Sequence, residues 1–453
     1  MRRRLSSVAV FAALCALGGA TAGRAQAPGA TGPPTWRVYS ETLMLLDRWR
    51  GTRAVAVERA DVRQRLRLDA WALAATDAAA DAPRLDLVVD LELGSDLGPP
   101  LAVVEAIPDG RRAALDLYRA ELRLVLGALD ARIGRVVLVD ALGFDAVDGA
   151  AVELALLPYV TARAHGGLAV RRAWSTFGPE LYEPDGTALR DDAGAVVGAG
   201  LRSRDLDRLD LDVTWRRHLD ADDGLPVRDE LGAAALARPW GPVELSGSAV
   251  YDLVFARASA IGAGAAARVG EAARVEGEWR RVHPTFAVDS IWSWFQTAAA
   301  HSGRLAASVR PGAWQLAADA ELRRFDGGAD AWIGGGRVDR GFSWWARPAR
   351  LGLDGRVGTG YGGARRHLDL YGTLPVPVGA PNEPVALRFR LGAAHFDVAD
   401  RDEYDGWAGW GLVAAGWQAT PKMRLDGTVE AHGHRAEAFR LRALLRLVVE
   451  DLW

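Results

Sequence analysis

From Arg84 to Leu93 the chain alternates without a break: Leu85, Leu87, Val89, Leu91 and Leu93 share one parity, and Arg84, Asp86, Val88, Asp90 and Glu92 the other. Successive strand side chains point to opposite faces, so this segment has one apolar and one charged face. A helical period would scatter the same residues around a circumference. The pattern recurs along the chain. Leu66, Leu68, Ala70 and Ala72 oppose Arg65, Arg67 and Asp69, and Leu209, Leu211, Val213 and Trp215 oppose Asp210, Asp212, Thr214 and Arg216. Val275 and Trp279 oppose Arg274, Glu276, Glu278 and Arg280, and Met423, Leu425, Val429 and Ala431 oppose Arg424, Asp426, Thr428, Glu430 and His432.

A soluble sandwich also alternates, so the question is what covers the apolar face. Beyond the amino terminus no apolar run has membrane-helix length, and a membrane protein of this sequence would have to span by strands. Many runs approach the ten or so residues that a tilted strand needs to cross a bilayer. Turn signals such as Asp326-Gly327-Gly328 and Pro381-Asn382-Glu383-Pro384 separate them. Aromatic residues gather at run ends: Trp292, Trp294 and Phe295; Phe342, Trp344 and Trp345; Trp407, Trp410 and Trp417. Such groups suit the aromatic girdles of a barrel in lipid.

The first residues carry an export signature. Arg2, Arg3 and Arg4 precede an apolar stretch from Leu5 to about Ala22, and small residues follow to Ala27. Residues 1–27 are expected to be a cleaved signal peptide, cut after Ala22 or Ala27, and residues 28–453 a single barrel. Cys15 is the only cysteine, so the exported part has neither a disulfide framework nor a thiolate metal site. Losing Arg2, Arg3, Arg4 and Arg24 reduces 55 basic residues to 51 against 58 acidic ones, a mature charge of about −7. That balance disfavours a nucleic-acid partner.

At the carboxyl end Phe439, Leu441, Ala443, Leu445, Leu447, Val449 and Trp453 share one parity, opposite Arg440, Arg442, Arg446 and Glu450. A final amphipathic strand closing on an aromatic residue resembles the assembly signal of outer-membrane barrel proteins; Phe439, Leu441, Leu445, Leu447, Val449 and Trp453 would carry it to the insertion machinery. Residues Leu115 to Val170 resemble the early hairpins of porin-like outer-membrane barrels of Gram-negative bacteria. The resemblance lies in Tyr118 to Leu124, in Ile133-Gly134-Arg135, in Phe144 to Gly149 with its Asp148-Gly149, and in the strand Val152 to Leu156. Val136 stands where that pattern usually has a polar residue. The resemblance implies a cell-outer-membrane location and contact with outer-membrane lipid.

The expected fold is therefore all-β: a transmembrane antiparallel up-and-down β-barrel of about 18 strands, in the range 16–20. A barrel of that size encloses an aqueous lumen unless loops fill it. The unpatterned stretches Thr176 to Ala199 and Leu219 to Leu231 are expected to be extracellular loops. Charges on the inner face would hold water and bias which solutes enter. The pore-lining candidates are Arg65, Arg67, Arg84, Asp86, Asp90, Arg119, Glu121, Arg123, Asp210, Asp212, Arg274, Glu276, Arg280, Arg440, Arg442 and Arg446.

Motifs of other chemistries do not hold together. Gly358-Thr359-Gly360-Tyr361-Gly362-Gly363 fits a dinucleotide pattern, but the strand-like Arg366 to Tyr371 follows it where a helix is required. Asp140, Asp145 and Asp148 lack the bidentate glutamate of a calcium loop and read as turn residues. His432 and His434 share a face without a third metal ligand, and Ser302 beside His301 lacks a nucleophile setting. No enzyme activity, cofactor or metal is expected. The function expected is passive diffusion of small hydrophilic solutes through a porin-like channel; a polymer (polysaccharide-type) export conduit and a plugged structural barrel are the alternatives.

Overall fold

A computed structural model describes residues 35–51, 56–75, 83–96, 113–170, 194–206, 208–221, 223–283, 298–328, 330–360, 363–377, 385–398, 405–434 and 437–452. Among these residues there are 22 strands and no helix. The first eleven are β1 (Thr35–Gly51), β2 (Ala56–Ala75), β3 (Arg84–Asp96), β4 (Ala113–Leu126), β5 (Leu129–Asp140), β6 (Gly143–Leu157), β7 (Val160–Ala169), β8 (Ala195–Leu206), β9 (Leu209–Leu219), β10 (Pro226–Trp240) and β11 (Val243–Asp252). The others are β12 (Arg257–Val269), β13 (Ala273–Val282), β14 (Ala300–Val309), β15 (Trp314–Phe325), β16 (Asp330–Trp344), β17 (Arg347–Gly360), β18 (Gly363–Val376), β19 (Val385–Asp397), β20 (Gly406–Thr420), β21 (Met423–His434) and β22 (Glu437–Leu452).

Each strand pairs antiparallel with its neighbours in sequence, and β22 returns to β1 in register from Arg37 opposite Leu452 to Arg50 opposite Phe439. The sheet is thereby closed and has no free edge, which is the only way a sheet satisfies its backbone in lipid. The up-and-down barrel expected from the alternation is present. Its strand count is 22 where about 18 was expected. The cause lies in the even-to-odd connections, several of which are two residues long, as at Gly127-Ala128, Pro158-Tyr159 and Gly241-Pro242. One strand with its connection uses about 19 residues on average, fewer than a loop-rich barrel spends.

These tight turns lie at the end that also holds the start of β1 and the finish of β22. At the turn between β16 and β17 both central residues, Trp345 and Ala346, have positive φ, as a two-residue hairpin turn requires.

Two of the expected loops are shorter than their unpatterned text. Ala195 to Ala199 belong to β8, and Pro226 to Leu231 belong to β10. In β8 the face that should be charged carries Val196, Gly198 and Gly200, and at the start of β10 the acidic Asp229 and Glu230 are consecutive, so neither shows the alternating code. Residues 171–193, the signal segment, Trp453 and the cluster Trp292, Trp294 and Phe295 lie outside the described residues.

Candidate functional site

Cross-strand partners lie on the same face of a sheet, so the register fixes which side chains face together. Followed from strand to strand, it puts every pore-lining candidate on one face, shared with Arg216 of β9. Nearly all are paired. Arg65 grips Asp90 through Nε at 2.8 Å and Nη2 at 2.6 Å. Arg123 holds Asp130 at 2.5 Å, Arg440 holds Asp47 at 2.5 Å, and Arg446 holds Glu41 at 2.6 Å. Arg442 lies 3.6 Å from Asp47 and 3.7 Å from Glu430. Asp212 accepts from Arg163 and Arg202, and Asp210 from Arg238.

A second kind of pair runs along single strands. Arg67 with Asp69, Arg84 with Asp86, Arg119 with Glu121 and Arg274 with Glu276 are each two positions apart. Residues i and i+2 share a strand face, and arginine is long enough to reach along it. Arg280 is flanked on its face by Gly262 and Ser302. Asp86, Asp90 and Glu121 are buried within this crowd of side chains.

The opposite face is apolar and exposed, as at Leu351, Leu353 and Val357 of β17 and Phe439, Leu441 and Leu445 of β22. In β22 the assembly-signal candidates Phe439, Leu441, Leu445, Leu447 and Val449 share this face. Aromatic residues mark its two borders. Near the turn end stand Trp240, Trp314, Trp344, Trp345 and Trp417, and near the other Trp279, Trp332 and Trp407. Trp407 and Trp417 are ten positions apart on β20. At about 3.4 Å per residue and a tilt near 40°, they are separated by about 26 Å along the barrel axis, close to the apolar band of a barrel in lipid. Trp410 does not belong to either border: its partner Gly392 faces Asp369, so its ring lies on the charged face, with its centroid 6.4 Å from that of His367.

The most tightly built part of the charged face is at the tip of the β5–β6 hairpin. Midway along this hairpin Gly134 and Gly149 are partners, and Gly149 also faces Gly167 of β7. A Cβ at Gly149 would collide with the carbonyl oxygen of Gly166, and Gly134 has φ +117°, where only glycine is unstrained. Beyond this pair Val136, Leu138 and Val147 are buried with Ala151, Ala169 and Val196 in an apolar cluster. The tip then reaches other strands. Arg216 of β9 donates to Asp140 at 2.6 Å and to Asp145 at 3.0 Å, and His218 lies 3.2 Å from Asp145. Arg202 of β8 donates to the Val139 carbonyl at 2.8 Å, and a Cβ at Gly232 of β10 would come within 2.6 Å of Leu142.

Asp140 and Asp145 are thus arginine partners, and Asp140 also accepts from the Leu142 N–H at 2.9 Å within the turn. Asp148 is on the apolar face, where it pairs with Arg135 at 2.5 Å. The three do not converge as a calcium loop would. The glycines Gly358 and Gly360 end β17 and Gly363 begins β18, in keeping with a turn. Sequence reasoning left out Arg216, Asp140, Asp145 and Gly232 as members of one cluster; the only signal was the arginine on the charged parity of β9.

No family model matches the sequence, and no curated protein matches it. Solved structures of similar shape include a BenF-like porin from Pseudomonas fluorescens Pf-5, at 10% identity over 92% of this chain and 98% of that one, with a TM-score of 0.46. The outer membrane protein opdK from Pseudomonas aeruginosa gives 13% identity, 93% and 99% coverage and 0.45. OccAB4 of Acinetobacter baumannii gives 9% identity, 94% and 100% coverage and 0.44. The likeness is one of outline, and the fold stands on the chain's own strand pairing.

Proposed function

We propose that the protein is an outer-membrane channel through which small hydrophilic solutes diffuse passively. The observation that carries this reading is the contact between Arg216 and Asp140. They stand on strands four apart in the closed sheet, and side chains so placed meet only across its concave side. The contact supports reading the charged face as inward at β9, and the shared register supports the same reading for the pore-lining candidates. A wall of paired arginines and carboxylates holds water against an apolar exterior.

The exterior supports lipid as the surrounding medium, since closure, the apolar band and the two aromatic borders meet the demands of a bilayer together. Strand β22, which completes the closure on β1, is the segment we assign to recognition by the insertion machinery. A barrel of 22 strands is wide, and the infolded β5–β6 hairpin narrows it from one side. Swelling of liposomes that contain the purified protein tests the function: sugars and amino acids below a size limit should enter, and rates should fall with solute size. Liposomes that shrink osmotically at the rate of protein-free ones would refute it.

A further inference from the structure

Asp354 of β17 and Asp369 of β18 are direct partners, and His367 precedes Asp369 by two positions on the same face. Their ligand-capable atoms converge: His367 Nε2 lies 3.7 Å from Asp354 Oδ1 and 3.8 Å from Asp369 Oδ2. All three ligand atoms lie within 4.8 Å of one another, and two atoms bound to one tetrahedral ion at about 2.0–2.1 Å lie about 3.3 Å apart, so small rotations of these side chains would bring the set around an ion. Asp369 is fully buried, and its Oδ1 has no hydrogen-bond partner. That oxygen lies against Gly392, and the other carboxylate oxygen, Oδ2, is the one that faces His367.

Two arginines compete for the carboxylates. Arg390 donates to Asp369 Oδ2 at 2.5 Å, and Arg356 lies 3.9 Å from Asp354. Both guanidinium side chains are about half exposed, at 51% and 44%, whereas His367 is 11% exposed. The competitors are the exposed partners, and a bound cation would replace the positive charge that the buried carboxylate loses when they turn into water. One imidazole with two carboxylates is a donor set for borderline divalent ions, and a water-filled lumen supplies the remaining ligand.

We propose that Asp354, His367 and Asp369 bind one divalent transition-metal ion of the zinc class from the lumen. The proposal rests on the reading that this face lines the channel. Occupancy would release Arg390 and Arg356 toward the passing solute and make this wall more cationic.

The test is equilibrium dialysis of the tag-free, detergent-solubilised barrel against Zn2+, with metal analysis and a parallel gel to confirm the heat-modifiable folded band. One equivalent should bind, and a tenfold excess of Mg2+ should not displace it. His367→Ala and, as a milder change, Asp354→Asn should each weaken binding at least about tenfold, the lower edge of what losing an outer hydrogen-bond partner costs at metal sites. The double variant His432→Ala, His434→Ala should bind as the parent does. No bound zinc, displacement by Mg2+, or zinc that survives both site variants in the folded band would overturn the proposal. Because dialysis does not depend on conduction, a closed barrel that still binds zinc would refute the channel and leave the site standing.

Discussion

Arg216 on β9 and Asp140 at the end of β5 are 76 positions apart in the chain and 2.6 Å apart in space, with side chains 2% and 5% exposed. The guanidinium also takes Asp145, so one buried cation holds two carboxylates of the same hairpin. Such a group is strongly interdependent: removing one partner leaves the others charged and buried.

Arg216→Ala should therefore destabilise the hairpin by about 3–5 kcal/mol. The tip should become accessible to protease from the end opposite the tight turns, and open-channel current should become noisier. Adding Asp140→Asn and Asp145→Asn should recover part of the loss, because the uncompensated charges go with the cation. Denaturant titration of the set, with protease mapping, checks this.

Gly134→Ala should lower the folded yield, since the new Cβ is strained at φ +117° and meets the backbone of Ala120 and Glu121. Gly303→Ala adds its Cβ to open space on the apolar face and should leave the yield unchanged. The heat-modifiable fraction on a gel measures both.

A charge on the apolar face should cost most between the aromatic borders. Val413→Arg, on β20 between Trp407 and Trp417, should cost about 2–4 kcal/mol in refolding into vesicles, and Trp417→Arg about 0–1 kcal/mol. Equal costs at the two depths would place the chain outside a bilayer.

Asp90→Asn should leave Arg65 without its two-pronged partner and shift selectivity toward anions, and Arg65→Gln should shift it toward cations. Reversal potentials across a salt gradient read the sign. Both shifts should shrink as salt rises, because the lumen charges are screened.

That the candidates from Arg65 to Arg446 share one face of the sheet was legible from parity alone, because each sits in a strand whose apolar residues alternate with its charges. Closure at β22 was legible for the same reason. The strand number was not, since two-residue turns such as Pro158-Tyr159 contribute little text between strands. β8 escaped notice because Val196, Gly198 and Gly200 occupy its charged-face positions, and Val196 is buried in the apolar cluster with Val136 and Val147. Trp410 stands in the same run as Trp407 and Trp417, but its parity differs from theirs and sends it to the charged face. The Arg216 cluster and the Asp354, His367 and Asp369 set depend on contacts between strands, which periodicity within a strand cannot supply.

The most direct measurement is the current through a planar bilayer after addition of the purified, detergent-folded chain. A water-filled passage should give discrete conductance steps whose size rises with bulk salt conductivity. A heat-modifiable, membrane-inserted protein that passes no current at any salt concentration would contradict it.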